Sequence, residues 1–169
     1  MAKQILVGVC DRCGEVVAIP PQSTPAIKAA HEKAGVSVEA VLPAVYLDAL
    51  DLACYRIDPG VTQEFRKRLL MYYVHRCAGD GEATRRIASI LREAGGEFRE
   101  GERSPARRRL SLKVSRPMAR SIERLMETTR LNRTDLFKAL VVLIGKDIVE
   151  PERPAKLAQL RTLAAVATC

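Results

Sequence analysis

The chain has 169 residues, with 28 Lys and Arg against 20 Asp and Glu, and a formal net charge of +8 at pH 7. An apolar fraction of 47% and a charged fraction of 28% are typical of one or two globular domains, and they exclude a disordered chain and a large enzyme. With no Trp and only three Phe, the core must be built from Leu, Val, Ile and Ala, which favours helices.

Hydropathy and cysteine usage favour a cytoplasmic protein. The longest apolar run, residues 139–144, is far shorter than the ~20 residues needed to cross a bilayer. The apolar stretch near the start is too short for a secretory signal. Five cysteines are an odd number, which does not suit a disulfide framework. We therefore expect a cytoplasmic protein without a membrane partner.

The chain begins with a predicted β-hairpin, assigned to residues 1–22, around the sequence Cys10-Asp11-Arg12-Cys13-Gly14. A CxxC knuckle is typical of half a zinc site, because Gly lets the chain turn while both thiolates point inward. Zinc needs two more ligands, and Cys54, His75 and Cys77 are the candidates. The interpretations left open are structural zinc, reduced thiols without a metal, and a redox- or metal-sensing pair. The predicted zinc ligands are Cys10, Cys13, His75 and Cys77.

The middle of the chain is predicted to be helical. Residues 23–95 form a helical module, since Pro, Gly and capping residues delimit amphipathic segments there. The charged run over residues 96–106 is predicted as a linker. After the next unit, residues 107–150, prolines precede a short Ala- and Leu-rich tail helix in residues 151–169.

The unit at residues 107–150 begins with a predicted strand. Apolar and polar residues alternate strictly from position 109 to position 115, which is the period of a strand that buries one face. The buried face consists of Leu110, Leu112 and Val114. The outward face consists of Arg109, Ser111 and Lys113.

Two helices are predicted after this strand. The first begins at Arg116-Pro117, where the missing amide proton of Pro costs nothing. The second follows Asn132, which with Asp135 forms a reciprocal capping pattern, and extends to about residue 149. This second helix is apolar nearly all round, and a unit of ~45 residues cannot bury it alone. The helix therefore requires a partner.

The basic excess is concentrated in residues 103–133. This window holds ten Arg and Lys residues, opposed only by Glu123 and Glu127, so it carries a charge equal to that of the whole chain. A confined basic excess indicates a polyanionic partner, first of all nucleic acid. The alternative is a solvated face rich in Arg.

A strand, a helix, a short polar turn and an apolar helix within ~40 residues resemble the ribbon-helix-helix superfamily of DNA-binding proteins, which includes the Arc, MetJ and CopG-type repressors. The resemblance covers residues 107–150. In that family, strands from two copies pair into an antiparallel ribbon that enters the major groove of DNA. The resemblance thus implies a mainly α fold with short β strands and a partner that is double-stranded DNA.

The resemblance also implies roles for individual residues. The outward strand residues would face base edges, where cationic groups suit guanine acceptors and a hydroxyl suits several bases. The start of the second helix would offer free backbone amides to a phosphate, and the arginines before the strand would contact the flanking DNA backbone. The implied DNA-binding residues are Arg107, Arg108, Arg109, Ser111, Lys113, Asn132, Arg133 and Thr134.

A fainter copy of the pattern occurs at residues 36–76. Residues 37–43 alternate in the same way, a helical stripe with Leu47, Leu50 and Cys54 follows, and a turn leads to another helix. A tandem chain could pair its two strands within one molecule, whereas a single copy would pair them between two chains of a homodimer. The alternative is a helical hairpin in which residues 37–57 form one long helix.

The sequence lacks a catalytic constellation, so we expect a protein that is not an enzyme. The first hypothesis is a sequence-specific DNA-binding protein that acts as a transcriptional repressor or autoregulator. The second is an accessory factor of plasmid transfer or partition, because tandem ribbon-helix-helix chains resemble conjugation accessory proteins. The third is an antitoxin-like protein-interaction module whose tail, residues 151–169, covers a toxin.

Overall fold

The computed structural model describes residues 5–60 and 64–168, without the side chains of residues 31–34, 97 and 166–168. This part of the chain is mainly helical and contains two antiparallel sheets of two strands each, in agreement with the predicted mainly α class with short β strands. Residues 1–4 of the predicted hairpin unit and residue 169 of the predicted tail lie outside it.

The elements are short strands and helices of two to four turns. In chain order they are β1 (Gly8–Val9), β2 (Val16–Ala18), a 3-10 turn (Pro21–Ser23), α1 (Thr24–Ala34), β3 (Val36–Pro43), α2 (Ala44–Ile57), α3 (Glu64–Gly79), α4 (Gly81–Ile90), α5 (Gly96–Arg103), β4 (Arg107–Val114), α6 (Arg116–Thr129), α7 (Arg133–Ile144), a π-helical turn (Gly145–Val149) and α8 (Leu157–Thr168).

The predicted N-terminal hairpin forms around the CxxC sequence. Strands β1 and β2 are antiparallel, and the turn between them closes through hydrogen bonds from Gly14 N to Cys10 O and from Cys10 N to Glu15 O, both 2.8 Å. Gly14 adopts a φ of +75°, which a residue without a Cβ reaches at little cost. The hydroxyl of Ser23 holds the start of the hairpin, since it accepts from Leu6 N and donates to Leu6 O.

The two strands predicted within residues 37–43 and 109–115 both form, and they pair with each other. Strands β3 and β4 are antiparallel over their full length, from Val36 opposite Val114 to Pro43 opposite Arg107. The alternative of one long helix over residues 37–57 is therefore wrong. Pairing with β4 satisfies the backbone groups of β3 that face β4, and Pro43, at the N-cap of α2, separates strand from helix.

Strands β3 and β4 are each followed directly by a pair of helices, α2 and α3 after β3 and α6 and α7 after β4, so the order strand, helix, helix occurs twice. The buried residues of β3 precede those of β4 by 72 positions, as Val38 and Leu110 do. Glu39 and Ser111, also 72 positions apart, lie directly opposite each other. In a dimer with a twofold axis, equivalent residues of the two subunits lie opposite each other in this way at the axis. Here one chain supplies both halves.

Helix α7 is the centre of the core, as its apolar sequence predicts. Phe137, Leu140 and Ile144 are each 0% exposed, and the helix packs against α2, α3, α4 and β3. Because a helix apolar on all sides must be covered on all sides, α7 needs the first half of the chain. The partner that the sequence requires is therefore present in the same molecule.

The segment predicted as a linker forms helix α5 instead. The ring of Phe98 lies 4.9 Å from the ring of Tyr46 on α2. Glu102 accepts a hydrogen bond from the Tyr46 hydroxyl at 3.0 Å and forms an ion pair with Lys138 on α7 at 2.7 Å. These partners lie 36 or more residues away in sequence, so the local composition could not indicate them.

The predicted tail helix, α8, packs on its own chain. Leu160 and Ala164 are buried, and Arg161 Nε donates to the carbonyl of Ile57 at 3.1 Å. Arg56 donates to the carbonyl of Val149 at 2.5 Å, which fixes the turn that leads to the tail. None of the helices in the described part of the chain combines the length and the hydropathy that a membrane crossing requires.

Candidate nucleic-acid interface

The outward face of strand β4 is exposed as the alternation predicts. Leu110, Leu112 and Val114 are buried against the helices. Because successive side chains of a strand point to opposite faces, the residues between them point away from the core. Arg109, Ser111 and Lys113 are accordingly exposed. The structure thus brings three of the predicted site residues together on one surface of the ribbon.

Strand β3 contributes an acidic residue to the same surface, Glu39, which the alternation of residues 37–43 places on the outward face. Glu39 Oε1 lies 2.5 Å from Arg109 Nη2 and 3.4 Å from Ser111 Oγ. The hydrogen bond from Arg109 holds the pKa of Glu39 below its usual value. The exposed face of the ribbon is therefore an ion-paired surface, with basic residues only on β4.

Arg107 and Arg108 are exposed but held by neighbouring helices. Arg107 donates to the carbonyl of Glu102 on α5 at 3.3 Å. Arg108 forms an ion pair with Asp48 on α2 at 2.7 Å, because it shares the face of Leu110 rather than that of Arg109. The two arginines thus flank the end of the ribbon. Only Arg107 is an even number of positions from the outward residues of β4, so it lies on the same face of the strand as they do.

The start of α7 has the predicted cap. Asn132 Oδ1 accepts from Asp135 N at 2.9 Å, and Asn132 Nδ2 donates to Asp135 Oδ2 at 2.7 Å. The first amides of a helix have no acceptor within it, so the N–H groups of Arg133 and Thr134 remain oriented outward. Arg130, with a φ of 58°, turns the chain sharply between α6 and α7.

A second basic segment lies beside β4, and sequence reasoning did not include it. A groove of about 450 Å³ between the start of α3 and β4 is lined by Glu64, Arg66, Lys67 and Arg68 on one side and by Arg109 and Ser111 on the other. Arg66 is paired with Asp51, while Arg68 is exposed. The sequence contains a signal for this segment, since three consecutive basic residues lie near the start of the second helix of the fainter copy.

The four predicted zinc ligands do not form one site. Within residues 5–60 and 64–168, no three His, Cys, Asp or Glu side chains are grouped so as to hold a metal ion. Helix α3 continues through Gly79, so His75 and Cys77 point in different directions: His75 is exposed and Cys77 is buried. Burial raises the pKa of the Cys77 thiol to about 11, which disfavours the thiolate that zinc requires.

The remaining pair, Cys10 and Cys13, lies in the turn of the N-terminal hairpin. Cys13 is exposed and Cys10 partly so. Backbone amides of Arg12 and Cys13 donate to the Cys10 sulfur and lower its pKa. Two thiols alone do not complete a tetrahedral zinc site, so the predicted zinc set is not assembled within the described residues.

Comparison of the chain with protein-family models, with curated proteins and with solved structures finds no match in any of the three. What the chain does must therefore be inferred from its own residues, above all from the exposed ribbon and the basic segments beside it.

Proposed function

We propose that the chain is a sequence-specific DNA-binding protein of the ribbon-helix-helix type, in which one molecule supplies both strands of the ribbon. The observation that carries the proposal is the antiparallel pairing of β3 with β4, which leaves Arg109, Ser111 and Lys113 exposed on one face. The major groove of B-DNA admits a two-stranded ribbon, and its guanine acceptors suit cationic side chains.

The flanks of the ribbon supply the contacts that position it. The outward amides of Arg133 and Thr134 at the start of α7 suit a phosphate, because the N-terminus of a helix favours an anion. On the other half of the chain, Lys67 and Arg68 stand beside β4 and suit the phosphates of the adjacent backbone. Such contacts fix the orientation on the duplex, while the ribbon reads sequence.

We propose transcriptional repression or autoregulation as the role of this binding. One observation favours an accessory role in plasmid transfer or partition: the two strands pair within one chain, and tandem ribbon-helix-helix chains resemble conjugation accessory proteins. Footprints at the chain's own promoter would support the regulator, and footprints at a transfer origin the accessory factor. The antitoxin hypothesis loses support, because Leu160 and Ala164 of the tail are buried against the chain itself.

Binding to duplex DNA should weaken steeply with salt. Each neutralised phosphate contributes about −0.9 to the slope of log K against log salt concentration, so ~4–6 phosphate contacts imply a slope of roughly −4 to −5. Fluorescence anisotropy with a labelled duplex at several salt concentrations gives the slope. Arg68→Ala should make it less steep by about 1, whereas Arg92→Ala, which removes an exposed arginine after α4, should leave it unchanged. A slope near zero would remove DNA as the partner.

Arg109→Ala and Lys113→Ala should each weaken binding to the preferred site by ~1–3 kcal/mol and reduce discrimination there, because both side chains stand on the outward face of β4. Arg107→Ala should weaken binding to all sequences about equally, as a backbone contact does. Dissociation constants for a selected and a random duplex test both statements. Equal losses on the two duplexes for Arg109→Ala would mean that β4 does not read the bases.

A further inference from the structure

The two strands of the ribbon present different side chains to solvent. Equivalent positions are 72 residues apart, so Ser37, Glu39 and Val41 of β3 correspond to Arg109, Ser111 and Lys113 of β4. A ribbon built from two identical chains would repeat one set on both strands and would read a palindrome, because the symmetry of the site mirrors that of the protein. In this ribbon the basic outward residues all belong to β4, and β3 offers a carboxylate and an apolar side chain.

The side chains of Glu39 and Arg109 lie close enough together to contact neighbouring positions of a target. Their carboxylate and guanidinium groups are 2.5 Å apart, close enough for both to reach the same base pair or adjacent ones. In the major groove a guanidinium matches the O6 and N7 acceptors of guanine, and a carboxylate accepts from the N4 amino group of cytosine. Val41, opposite Arg109 in the ribbon and 55% exposed, offers methyl groups that suit the C5-methyl of thymine.

We infer that the ribbon reads a non-palindromic duplex site, in which Arg109 and Lys113 contact guanines and Glu39 selects a cytosine beside the guanine read by Arg109. The inference rests on the proposed DNA-binding function. A carboxylate among phosphates lowers the affinity for every duplex, and a cytosine amino group offsets this loss only at the correct position. Glu39 thus increases specificity, because it weakens binding to duplexes that lack a cytosine at this position. Glu39 is charged at neutral pH, because the ordinary pKa of a glutamate lies well below 7 and the hydrogen bond from Arg109 lowers it further.

The first test is the symmetry of the target. Selection of bound duplexes from a random pool by the full-length chain should give a motif without twofold symmetry, with a cytosine next to a guanine at one end of the contacted segment. A palindromic motif would overturn the inference and leave the proposed function intact. Failure of the chain to bind any duplex would overturn the proposed function, and this inference with it.

The second test separates recognition of a base by Glu39 from the general effect of its negative charge on DNA affinity. Glu39→Gln should tighten binding to random duplex, and the ratio of random to selected dissociation constants should fall on the order of 10-fold. Glu123→Gln is the matched control, since it removes one negative charge from the same basic window at an exposed position on α6. It should tighten binding to both duplexes by the same factor and leave their ratio unchanged. Equal behaviour of the two variants would overturn the role of Glu39.

Circular dichroism should show the same helix content for both variants, because Glu39 and Glu123 are exposed. The most informative duplex substitution replaces the cytosine assigned to Glu39 by thymine, whose O4 accepts where cytosine donates. The wild-type chain should lose about as much affinity from this substitution as from loss of the adjacent guanine, whereas Glu39→Gln should be nearly indifferent to it. A wild-type chain indifferent to the change would overturn the assignment.

Discussion

Leu140→Asp is expected to abolish the cooperative unfolding transition of the chain. Leu140 is 0% exposed at the centre of α7, and truncation of such a leucine to Ala alone costs ~2–5 kcal/mol of a total stability of ~5–15 kcal/mol. An unpaired carboxylate at the same place adds the cost of burying a charge. Thermal and urea unfolding followed by circular dichroism should show no native baseline.

The matched control for this substitution is Leu52→Asp. Leu52 lies on α2 and is 52% exposed, so the same chemical change there should shift the unfolding midpoint by little. A variant Leu140→Asp that unfolds like Leu52→Asp would contradict the central position of α7 in the core.

A fragment of residues 103–169 is expected to be unfolded or aggregated in isolation. It retains β4, α6 and α7 but lacks β3, which pairs with β4, and α2, α3 and α4, which pack on α7. Without them a large apolar surface and a strand edge are exposed, and both promote aggregation. Size-exclusion chromatography with light scattering, together with circular dichroism, measures the outcome.

The control for the fragment is deletion of residues 1–20, which should leave the rest of the chain folded. The hairpin removed in this way has Val9, Val16 and Val17 exposed, so it adds little to the core. If the 103–169 fragment instead forms a folded dimer that binds DNA, the ribbon can form between chains, and the single-molecule ribbon is contradicted. A folded monomer unable to bind DNA would contradict the ribbon-helix-helix assignment itself.

The sequence determined those features that depend on neighbours a few residues away. The alternation around Leu110 and Leu112 predicts the buried face of β4, because side chains of a strand alternate with a period of two. Asn132 and Asp135 predict the cap of α7, and Asn132 Oδ1 accepts from Asp135 N as expected, while the second hydrogen bond comes from the side-chain amide of Asn132. The apolar sequence of α7 predicts burial on more than one side, and Leu136, Phe137 and residues 139–144 are buried. In each case the responsible interaction is local or is repeated along one element.

Tertiary structure alone decided how these elements are combined. The alternation in residues 37–43 fitted either a strand or the start of a long helix, and pairing with β4, 72 residues further along the chain at Glu39 and Ser111, is what makes β3 a strand. Glu39 meets Arg109, and Phe98 meets Tyr46, only because the register of the ribbon and the packing of α5 bring them together.

The predicted zinc ligands are not brought together for the same reason, since the spacing of His75 and Cys77 could not show that α3 buries one of them and exposes the other. Periodicity specifies which face of an element is buried, but the surface that covers it is set by segments far away in sequence, which leave no local pattern.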